Sequence, residues 1–414
     1  MRTALLLAAL ALIAVPVAVT ADQRETRAPL IAVDRGDGAK WLRLVDPVTL
    51  RPESRRIRGF REAFTGARSP DGRRFAVGSN FDRSAAIRVI DLERRRSERI
   101  IELNRQGPVL VEWPTRDRIV AIAGGPYGRY EISVVDPFAA KVRARHSFRG
   151  WLLSHERTAT GVAVLLGPER RLGPARLLVA DASSRRLRTV TLDRIEAGAT
   201  NPRVRRARYR QPGLAVDPTG RRAYVVAARD RPLVASARLA SGQVDYHEPA
   251  ETPAARAAKG NVDVRWRDAR WLGADSIAVT GFRSRPARRG SRFPPPEEPF
   301  GVRLIDTSDW SMRTLAEGPN QAVVAGDRLL AHGTTWSAGW RASNSTGLLV
   351  FDGEGRQLYS RFRGQELVIA GATAELGYVW VRPTRTLHVI DLHDGHTLRK
   401  MRVHRRDVPL LIAP

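Results

Sequence analysis

The segment Leu42-Arg-Leu-Val-Asp46 is the first of four apolar runs that end in aspartate at a spacing of 45 residues. The other three are Ile87-Arg-Val-Ile-Asp91, Ile132-Ser-Val-Val-Asp136 and Leu177-Leu-Val-Ala-Asp181. The cassette returns as Val302-Arg-Leu-Ile-Asp306, Leu348-Leu-Val-Phe-Asp352 and Leu387-His-Val-Ile-Asp391, and once without its acid in Ala235-Ser-Ala-Arg238-Leu239. A fixed period of this length is typical of a repeat fold. The chain therefore contains eight copies of one structural unit.

Each unit places a tight turn before two β-branched, apolar strands and a charged one. Ser69-Pro-Asp-Gly72 and Asp217-Pro-Thr-Gly220 have the residues that antiparallel hairpin turns prefer. With the apolar strand that precedes this turn, the unit has four strands, A to D, of which D is polar on its exposed face. A four-stranded sheet repeated in this way is the blade of a β-propeller.

The sequence thus predicts an all-β fold, a propeller of eight four-stranded blades, with seven as the alternative. The units span 29–57, 64–101, 108–148, 150–192, 211–249, 269–315, 321–362 and 366–403. The first unit lacks strand A, and the apolar segment Val408 to Ala413 is predicted to supply it. This strand closes the ring and removes an exposed sheet edge.

The recurring aspartate stands where strand C turns into strand D. We expect its carboxylate to accept hydrogen bonds from backbone N–H groups of that turn. This structural role is favoured strongly over metal binding.

The first residues have the layout of a secretory signal peptide. Arg2 is followed by an apolar run to Val19 and by the small residues that precede cleavage after Ala21. We expect residues 1–21 to be this signal and residues 22–414 to form one propeller domain. The predicted location is therefore secreted or periplasmic, and an uncleaved N-terminal anchor is the alternative. The chain has no cysteine, which excludes disulfides and thiol chemistry.

The chain carries a formal net charge of +27, and only four of its 70 cationic residues are lysine. Such a charge attracts anionic partners. The arginine bias is also what a GC-rich bacterial genome produces, so most of the excess is assigned to that background. Nucleic acid is not expected as a partner, because no recognisable reading motif is present.

The phrases Ser69-Pro-Asp-Gly72 and Asp217-Pro-Thr-Gly-Arg221, with Val-Ile-Asp-Leu at 89–92 and 389–392, resemble the exported bacterial β-propellers of the TolB-like and YVTN-type group. The resemblance covers essentially all of the chain after residue 21. The chain lacks the Gly-His and Trp-Asp dipeptides of WD40 repeats. Such families include scaffolds, receptors and hydrolases, so the resemblance implies a fold and leaves the function open.

The long connections between strands are all predicted on one face. Strands alternate in direction within a blade, so the B–C and D–A connections emerge together, and the short A–B and C–D turns emerge opposite. We call the face with the B–C and D–A connections the looped face. Elaborated loops on a rigid scaffold are typical of a binding surface. The candidate ligand-binding residues there are Tyr127, Tyr130, Arg203, Arg205, Arg206, Arg208, Tyr209, Arg283, Arg285, Arg288, Arg289, Trp336, Trp340 and Arg341.

Arginine and aromatic side chains suit acidic or glycan ligands, through forked hydrogen bonds and stacking. The alternative is that these residues only form solvated loops. Five tryptophans in or beside strands are expected to pack between blades instead: Trp113, Trp151, Trp266, Trp271 and Trp380.

Catalytic motifs are scarce, and no catalytic residue, metal ligand or cofactor is predicted. His388, Asp391, His393, Asp394 and His396 are close in sequence, but they span strand C and a hairpin turn on the face opposite the looped face. His155-Glu156 is not followed by the second histidine of a zinc-protease helix.

We therefore expect a non-catalytic binding or scaffold propeller that recognises a protein or an anionic cell-envelope polymer. A structural part of a larger envelope assembly is a further possibility. The alternative is a propeller enzyme, either a lactonase-like hydrolase or a quinone-dependent dehydrogenase. The quinoprotein resemblance is limited to fragments such as Asp391 to Leu398, and Arg399 and Lys400 stand where its docking repeat requires tryptophan.

Overall fold

The computed structural model describes residues 30–35, 40–60, 62–81, 84–103, 109–124, 128–183, 186–200, 209–229, 231–251, 263–284, 297–337, 341–403 and 410–412. In these residues the secondary structure is β-strand, arranged in eight sheets. None of the described segments forms a helix long and apolar enough to cross a bilayer. The predicted all-β propeller is confirmed, and the number of sheets equals the number of predicted blades.

The first half of the chain builds blades 1 to 4. Blade 1 contains β1 (Leu30–Arg35), β2 (Lys40–Val45) and β3 (Ile57–Phe60). Blade 2 contains β4 (Glu62–Arg68), β5 (Arg74–Phe81), β6 (Ser84–Asp91) and β7 (Arg96–Glu102). Blade 3 contains β8 (Val109–Thr115), β9 (Arg118–Gly124), β10 (Arg129–Asp136) and β11 (Lys141–Arg149). Blade 4 contains β12 (Trp151–Arg157), β13 (Gly161–Gly167), β14 (Leu172–Asp181) and β15 (Arg186–Ala199), with the added β16 (Tyr209–Arg210).

The second half builds blades 5 to 8. Blade 5 contains β17 (Gly213–Val216), β18 (Arg222–Val226), β19 (Val234–Arg238) and β20 (Val244–His247). Blade 6 contains the added β21 (Ala250–Glu251), then β22 (Asp263–Leu272), β23 (Ser276–Ser284), the added β24 (Glu297–Pro299), β25 (Val302–Asp306) and β26 (Ser311–Ala316). Blade 7 contains β27 (Gln321–Ala325), β28 (Arg328–Ser337), β29 (Arg341–Phe351) and β30 (Gln357–Arg361). Blade 8 contains β31 (Leu367–Ala372), β32 (Leu376–Val381), β33 (Thr386–Asp391) and β34 (Thr397–Arg402).

The last strand, β35 (Leu410–Ile412), completes the first blade. It pairs antiparallel with β1, with Ile31 opposite Ile412 and Val33 opposite Leu410, and gives the sheet order β3-β2-β1-β35. The predicted closing strand was Val408 to Ala413, and residues 408, 409 and 413 lie outside the described residues. The observed pairing is the one that ring closure requires.

A layer of apolar side chains lies between each blade and the next. Eight buried clusters occur among the described residues, one for each neighbouring pair of blades. The cluster between blades 8 and 1 joins Tyr378 and Trp380 to Leu30 and Val45. The hydroxyl of Tyr378 also donates a 3.0 Å hydrogen bond to the carbonyl oxygen of Pro47. Blade 1 therefore packs on blade 8 as closely as on blade 2.

The tryptophans mostly occupy these layers, as expected. Trp113 is fully buried between blades 2 and 3, and Trp380 is buried between blades 8 and 1. Trp151 packs against the layer between blades 4 and 5, and Trp271 against that between blades 5 and 6. Trp266 differs, because its ring packs on Phe282 of its own blade, with 5.3 Å between the ring centroids.

The recurring aspartates accept hydrogen bonds from the turn between strands C and D. In blade 3, Asp136 Oδ1 accepts from the backbone N–H of Phe138 at 3.0 Å and of Ala139 at 2.9 Å. The same pattern holds for the other six: Asp46, Asp91, Asp181, Asp306, Asp352 and Asp391. Where the turn has four residues after the acid, the fourth has a positive φ, for example 52° at Ala140 and 54° at Arg95. The acid thus satisfies the amides of a tight turn.

Replacing Asp136 tests this structural role. Asp136→Ala leaves two turn amides without their acceptor and breaks the contact with Arg143, so it should lower the free energy of unfolding by about 1–2 kcal/mol. Asp136→Asn retains an acceptor oxygen and should recover most of the loss. Turn hydrogen bonds lower the pKa of Asp136, so its contribution is present above the ordinary carboxyl pKa and is lost as the pH falls. Denaturant unfolding of the three proteins measures the effect, and equal stabilities would refute the assigned role.

Candidate functional site

The inner strands of the blades surround an axial channel. The innermost strand is strand A of each blade, which is β35 in blade 1 and β22 in blade 6, and inner strands of neighbouring blades contact one another, as β12 contacts β17 and β17 contacts β22. Side chains that point away from the blade layers on these strands therefore face the axis. On β22, for example, Ala269 is buried in a blade layer, while Asp268 and Arg270 on either side are partly exposed.

Five ionisable side chains meet in this channel. Glu156 of β12 forms an ion pair with Arg270 of β22, which joins blade 4 to blade 6 across the inner strand of blade 5. Arg270 also approaches Asp268 at 3.4 Å. On the other side, His155 Nε2 lies 3.4 Å from Glu112 Oε1 of β8. We call Glu112, His155, Glu156, Asp268 and Arg270 the axial cluster.

The environment of the axial cluster favours protonated carboxyl groups. Burial raises the pKa of Glu156 to about 7, with further contributions from Glu112 and Asp268, and these effects outweigh the attraction of Arg270 and His155. Burial also raises the pKa of Asp268, while Glu156 and Asp268 together raise the pKa of Arg270 against its own burial. One arginine is thus shared between two acids. Glu156 consequently can exchange a proton near neutral pH.

No sequence motif predicts this cluster. His155-Glu156 lacks the second histidine of a zinc-protease helix, and Glu112, Asp268 and Arg270 stand in other repeats, far away in sequence. Their common feature is that each occupies an inner strand, at a position where most repeats carry an apolar or small residue. A search for charges at channel-facing positions of strand A would have found them.

The structure places three of the candidate ligand-binding residues with described side chains at the looped face. Tyr130 follows the B–C connection of blade 3, where its ring stacks on Phe148 at 5.3 Å. Tyr209 belongs to β16, which pairs with the end of β15. Arg283 belongs to the end of β23, and its Nε lies 3.6 Å from Glu298 Oε2 of β24. These residues come from three different blades: 3, 4 and 6.

The other candidates are placed less fully. Trp336 and Arg341 lie in the hairpin of β28 and β29, opposite Ala342 and Ser337 respectively. Nine candidates lie outside the described residues: Tyr127, Arg203, Arg205, Arg206, Arg208, Arg285, Arg288, Arg289 and Trp340. The described strand ends on either side of three of these segments are paired, with Ala199 opposite Tyr209, Ser284 opposite Glu297 and Ser337 opposite Arg341.

The histidines of blade 8 do not converge. His388 is buried in β33 against the ring of Phe362, whereas His393 and His396 lie in the turn that follows Asp391. In the part of the chain that the structure describes, no group of three or more His, Asp or Glu side chains is placed to hold a metal ion.

Comparison with known proteins supports the fold. No protein-family model matches the sequence, and no curated protein matches it. A dihydro-heme d1 dehydrogenase, NirN, solved in complex with DHE, superposes with a TM-score of 0.55 at 11% identity, over 92% of this chain and 73% of that chain. Dipeptidyl peptidase 4 of Porphyromonas gingivalis superposes with a TM-score of 0.52 at 9% identity, over 90% of this chain and 58% of that chain.

These likenesses establish only the architecture. By their names, one of these proteins is a dehydrogenase and the other is a peptidase. This chain spans little more than half the length of the dipeptidyl peptidase. The fold is therefore shared by proteins with different roles, and the role of this chain has to be argued from its own residues.

Replacing Glu156 tests the electrostatics of the channel. Its pKa is raised from 4.5 to about 7, so between these values the folded protein holds a proton that the unfolded chain releases, and stability falls as the pH rises. Glu156→Gln has no ionisable group at this position and so does not lose this stability. The difference between the unfolding free energies of the variant and the parent should therefore grow in favour of the variant as the pH rises from 4.5 to about 7. Glu317→Gln, at an exposed site, is the control and should show no such trend. Urea unfolding at several pH values measures it, and a pH-independent difference for Glu156→Gln would contradict the raised pKa.

Proposed function

We propose that this chain is an exported, non-catalytic binding propeller that recognises a protein or an anionic cell-envelope polymer through its looped face. The observation that carries the proposal is the position of the added structure. β16 pairs with the end of β15, β24 with the end of β23, and the hairpin of β28 and β29 extends to Ser337 and Arg341. These three additions lie at the end of the blades where strands B and D finish, whereas the fourth, β21, pairs with the first residues of β26 after the C–D turn. Elaboration concentrated on one face is typical of a binding surface.

The opposite face has only short connections in comparison. The A–B turn of blade 7 links Ala325 directly to Arg328 through two residues, and that of blade 6 links Leu272 to Ser276. Its carboxylates and hydroxyls are engaged in turn hydrogen bonds, as at Asp217 and Asp352. These groups of the opposite face are therefore held by the turns in which they stand.

The charge of the looped segments supports an anionic ligand. Residues 201–208 and 285–296 contribute seven of the nine arginines among the candidate ligand-binding residues, and the other two are Arg283 and Arg341. A positive surface of this kind attracts an acidic polymer over about 10 Å at 0.1 M salt, and over about 3 Å at 1 M salt.

Salt dependence and two matched sets of substitutions test this proposal. The first set replaces by glutamine Arg203, Arg205, Arg206, Arg208, Arg283, Arg285, Arg288 and Arg289. The second set removes the same charge elsewhere, from exposed positions on outer strands, short turns and the end of β19: Arg94, Arg96, Arg99, Arg116, Arg186, Arg221, Arg238 and Arg399. Binding to a purified acidic cell-envelope polysaccharide should fall steeply between about 0.1 and 1 M salt for the parent. It should be abolished by the first set and largely retained by the second.

The melting temperature of each variant is measured in parallel, so that unfolding is not mistaken for lost binding. Equal losses from the two sets would show that the total charge matters and not the looped face, and the proposal would be dropped.

A hydrolase is the second candidate function, because of the axial cluster. A carboxyl group with a pKa near 7 beside His155 and Arg270 is suited to transfer protons during hydrolysis of a lactone or ester. Hydrolysis of a panel of lactones is the assay, with Glu156→Gln and the exposed-site Glu317→Gln as matched variants. If the parent and Glu317→Gln hydrolyse a lactone and Glu156→Gln does not, the protein is a hydrolase that uses the axial cluster. Absence of turnover in the parent, or equal turnover in both variants, would remove this candidate.

A further inference from the structure

A small cavity opens at the looped face between blades 6, 7 and 8. It has a volume of about 80 Å³ and is bounded by Phe282 near the end of β23, by Gln321 and Leu367 at the start of inner strands, and by Arg382 directly after β32. Each of these positions is at the looped end of its strand. The cavity is thus a concave feature of the surface that we propose for binding, separate from the axial cluster.

His332 of β28 lines this cavity, and only 7% of its surface is exposed. The side chain of Asn320, which is 3% exposed, lines it as well. Burial, together with the nearby charge of Arg382, lowers the pKa of His332 to about 4. The imidazole is therefore neutral at physiological pH, with one nitrogen that donates and one that accepts. A guest that offers both an acceptor and a donor can pair with both ring nitrogens.

The charges around the cavity are already balanced. Glu366 and Arg382 form an ion pair at its rim, and the neutral His332 adds no charge. A charged guest would bring one uncompensated charge into a partly buried site, which costs more than its new contacts return. A neutral guest with both a donor and an acceptor suits the imidazole and the ion pair together.

Size and apolar surface restrict the guest further. Phe282, Leu367 and Val368 form an apolar wall opposite the polar groups. The volume is about half of that of a cavity that accommodates benzene, which leaves space for about three or four non-hydrogen atoms. The guest is therefore small, neutral and terminal, with a methyl-sized apolar end and an amide-like polar part. A peptide backbone amide does not meet this description, because it continues on both sides.

We propose that this cavity binds the acetamido group of an N-acetylated amino sugar. The methyl group packs on Phe282, Leu367 and Val368. The carbonyl oxygen accepts a hydrogen bond from the imidazole N–H or the Arg382 guanidinium, and the amide N–H donates to the other imidazole nitrogen or to Glu366. The inference rests on the proposed function and deepens it: the arginines attract the polymer by charge, and the cavity selects its acetamido groups.

The test compares oligosaccharides and two matched histidine variants. Titration calorimetry measures binding of an N-acetylglucosamine trimer, of a glucose trimer without acetamido groups, and of an N-acetylated alanine peptide. His332→Leu removes the donor and the acceptor inside the cavity. His388→Leu is the control, because His388 is equally buried, at 8% exposure, but packs on Phe362 outside the cavity.

The N-acetylglucosamine trimer should bind at least about tenfold more tightly than the glucose trimer, and His332→Leu should abolish this preference while His388→Leu retains it. His332→Leu should leave the melting temperature close to that of the parent, because an apolar side chain of similar size fills the same buried place. Equal binding of both trimers, tighter binding of the peptide, or an acetamido preference that survives His332→Leu would each overturn the inference.

The experiments distinguish an error in the acetamido assignment from an error in the proposed binding of an anionic polymer. If the acidic polysaccharide binds with the expected salt and arginine dependence while the acetamido preference is absent, only the cavity assignment is wrong. If the polysaccharide does not bind but the trimer does, the cavity assignment stands and the anionic-polymer function falls.

Discussion

The contact between the last blade and the first is the constraint on which the rest of the structure depends. Each blade has two apolar faces, and a linear array would leave one of them exposed at each end. Here Tyr378 and Trp380 of blade 8 cover Leu30 and Val45 of blade 1, and β35 pairs with β1 at the inner edge of the same sheet. Closure therefore buries the last two apolar faces and pairs the remaining edge strand. It also fixes the distance of every inner strand from the axis, and so creates the channel.

Closure has opposite electrostatic consequences at the axis and at the surface. The outside of the protein carries a large excess of arginine, whereas the axial cluster brings three carboxylates to one arginine and one histidine. Confinement raises the pKa of Glu156 and Asp268 there, although the protein as a whole is strongly cationic. At the looped face burial lowers the pKa of His332, and the charge of Arg382, which also pairs with Glu366, contributes in the same direction and leaves the imidazole uncharged. The overall charge of the protein therefore does not explain the protonation of the axial cluster or of His332. The protonation of each depends on which side chains from different blades are buried together.

The fold was predictable because its determinants are local and repeated. Asp136 accepts from Phe138 and Ala139 within three residues, so the turn is encoded wherever the cassette occurs, and the same holds for Asp91 and Asp391. The looped face was also predictable, because strand direction alternates in every blade. The sites were not predictable to the same degree. Glu156 and Arg270 are 114 residues apart, and His332 meets Arg382 across a blade boundary. No local pattern encodes such pairs.

The sequence by itself determined the architecture: eight units, the turn chemistry of their aspartates, the apolar layers that contain Trp113 and Trp380, and the C-terminal strand that joins the first blade. These features follow from hydrogen bonds within a few residues and from the alternation of apolar side chains along strands. Only the tertiary structure decided which polar groups share a space. The axial cluster and the cavity at His332 arise because the ring brings together side chains from different blades, and burial at those meeting points sets their protonation and hydrogen-bonding needs.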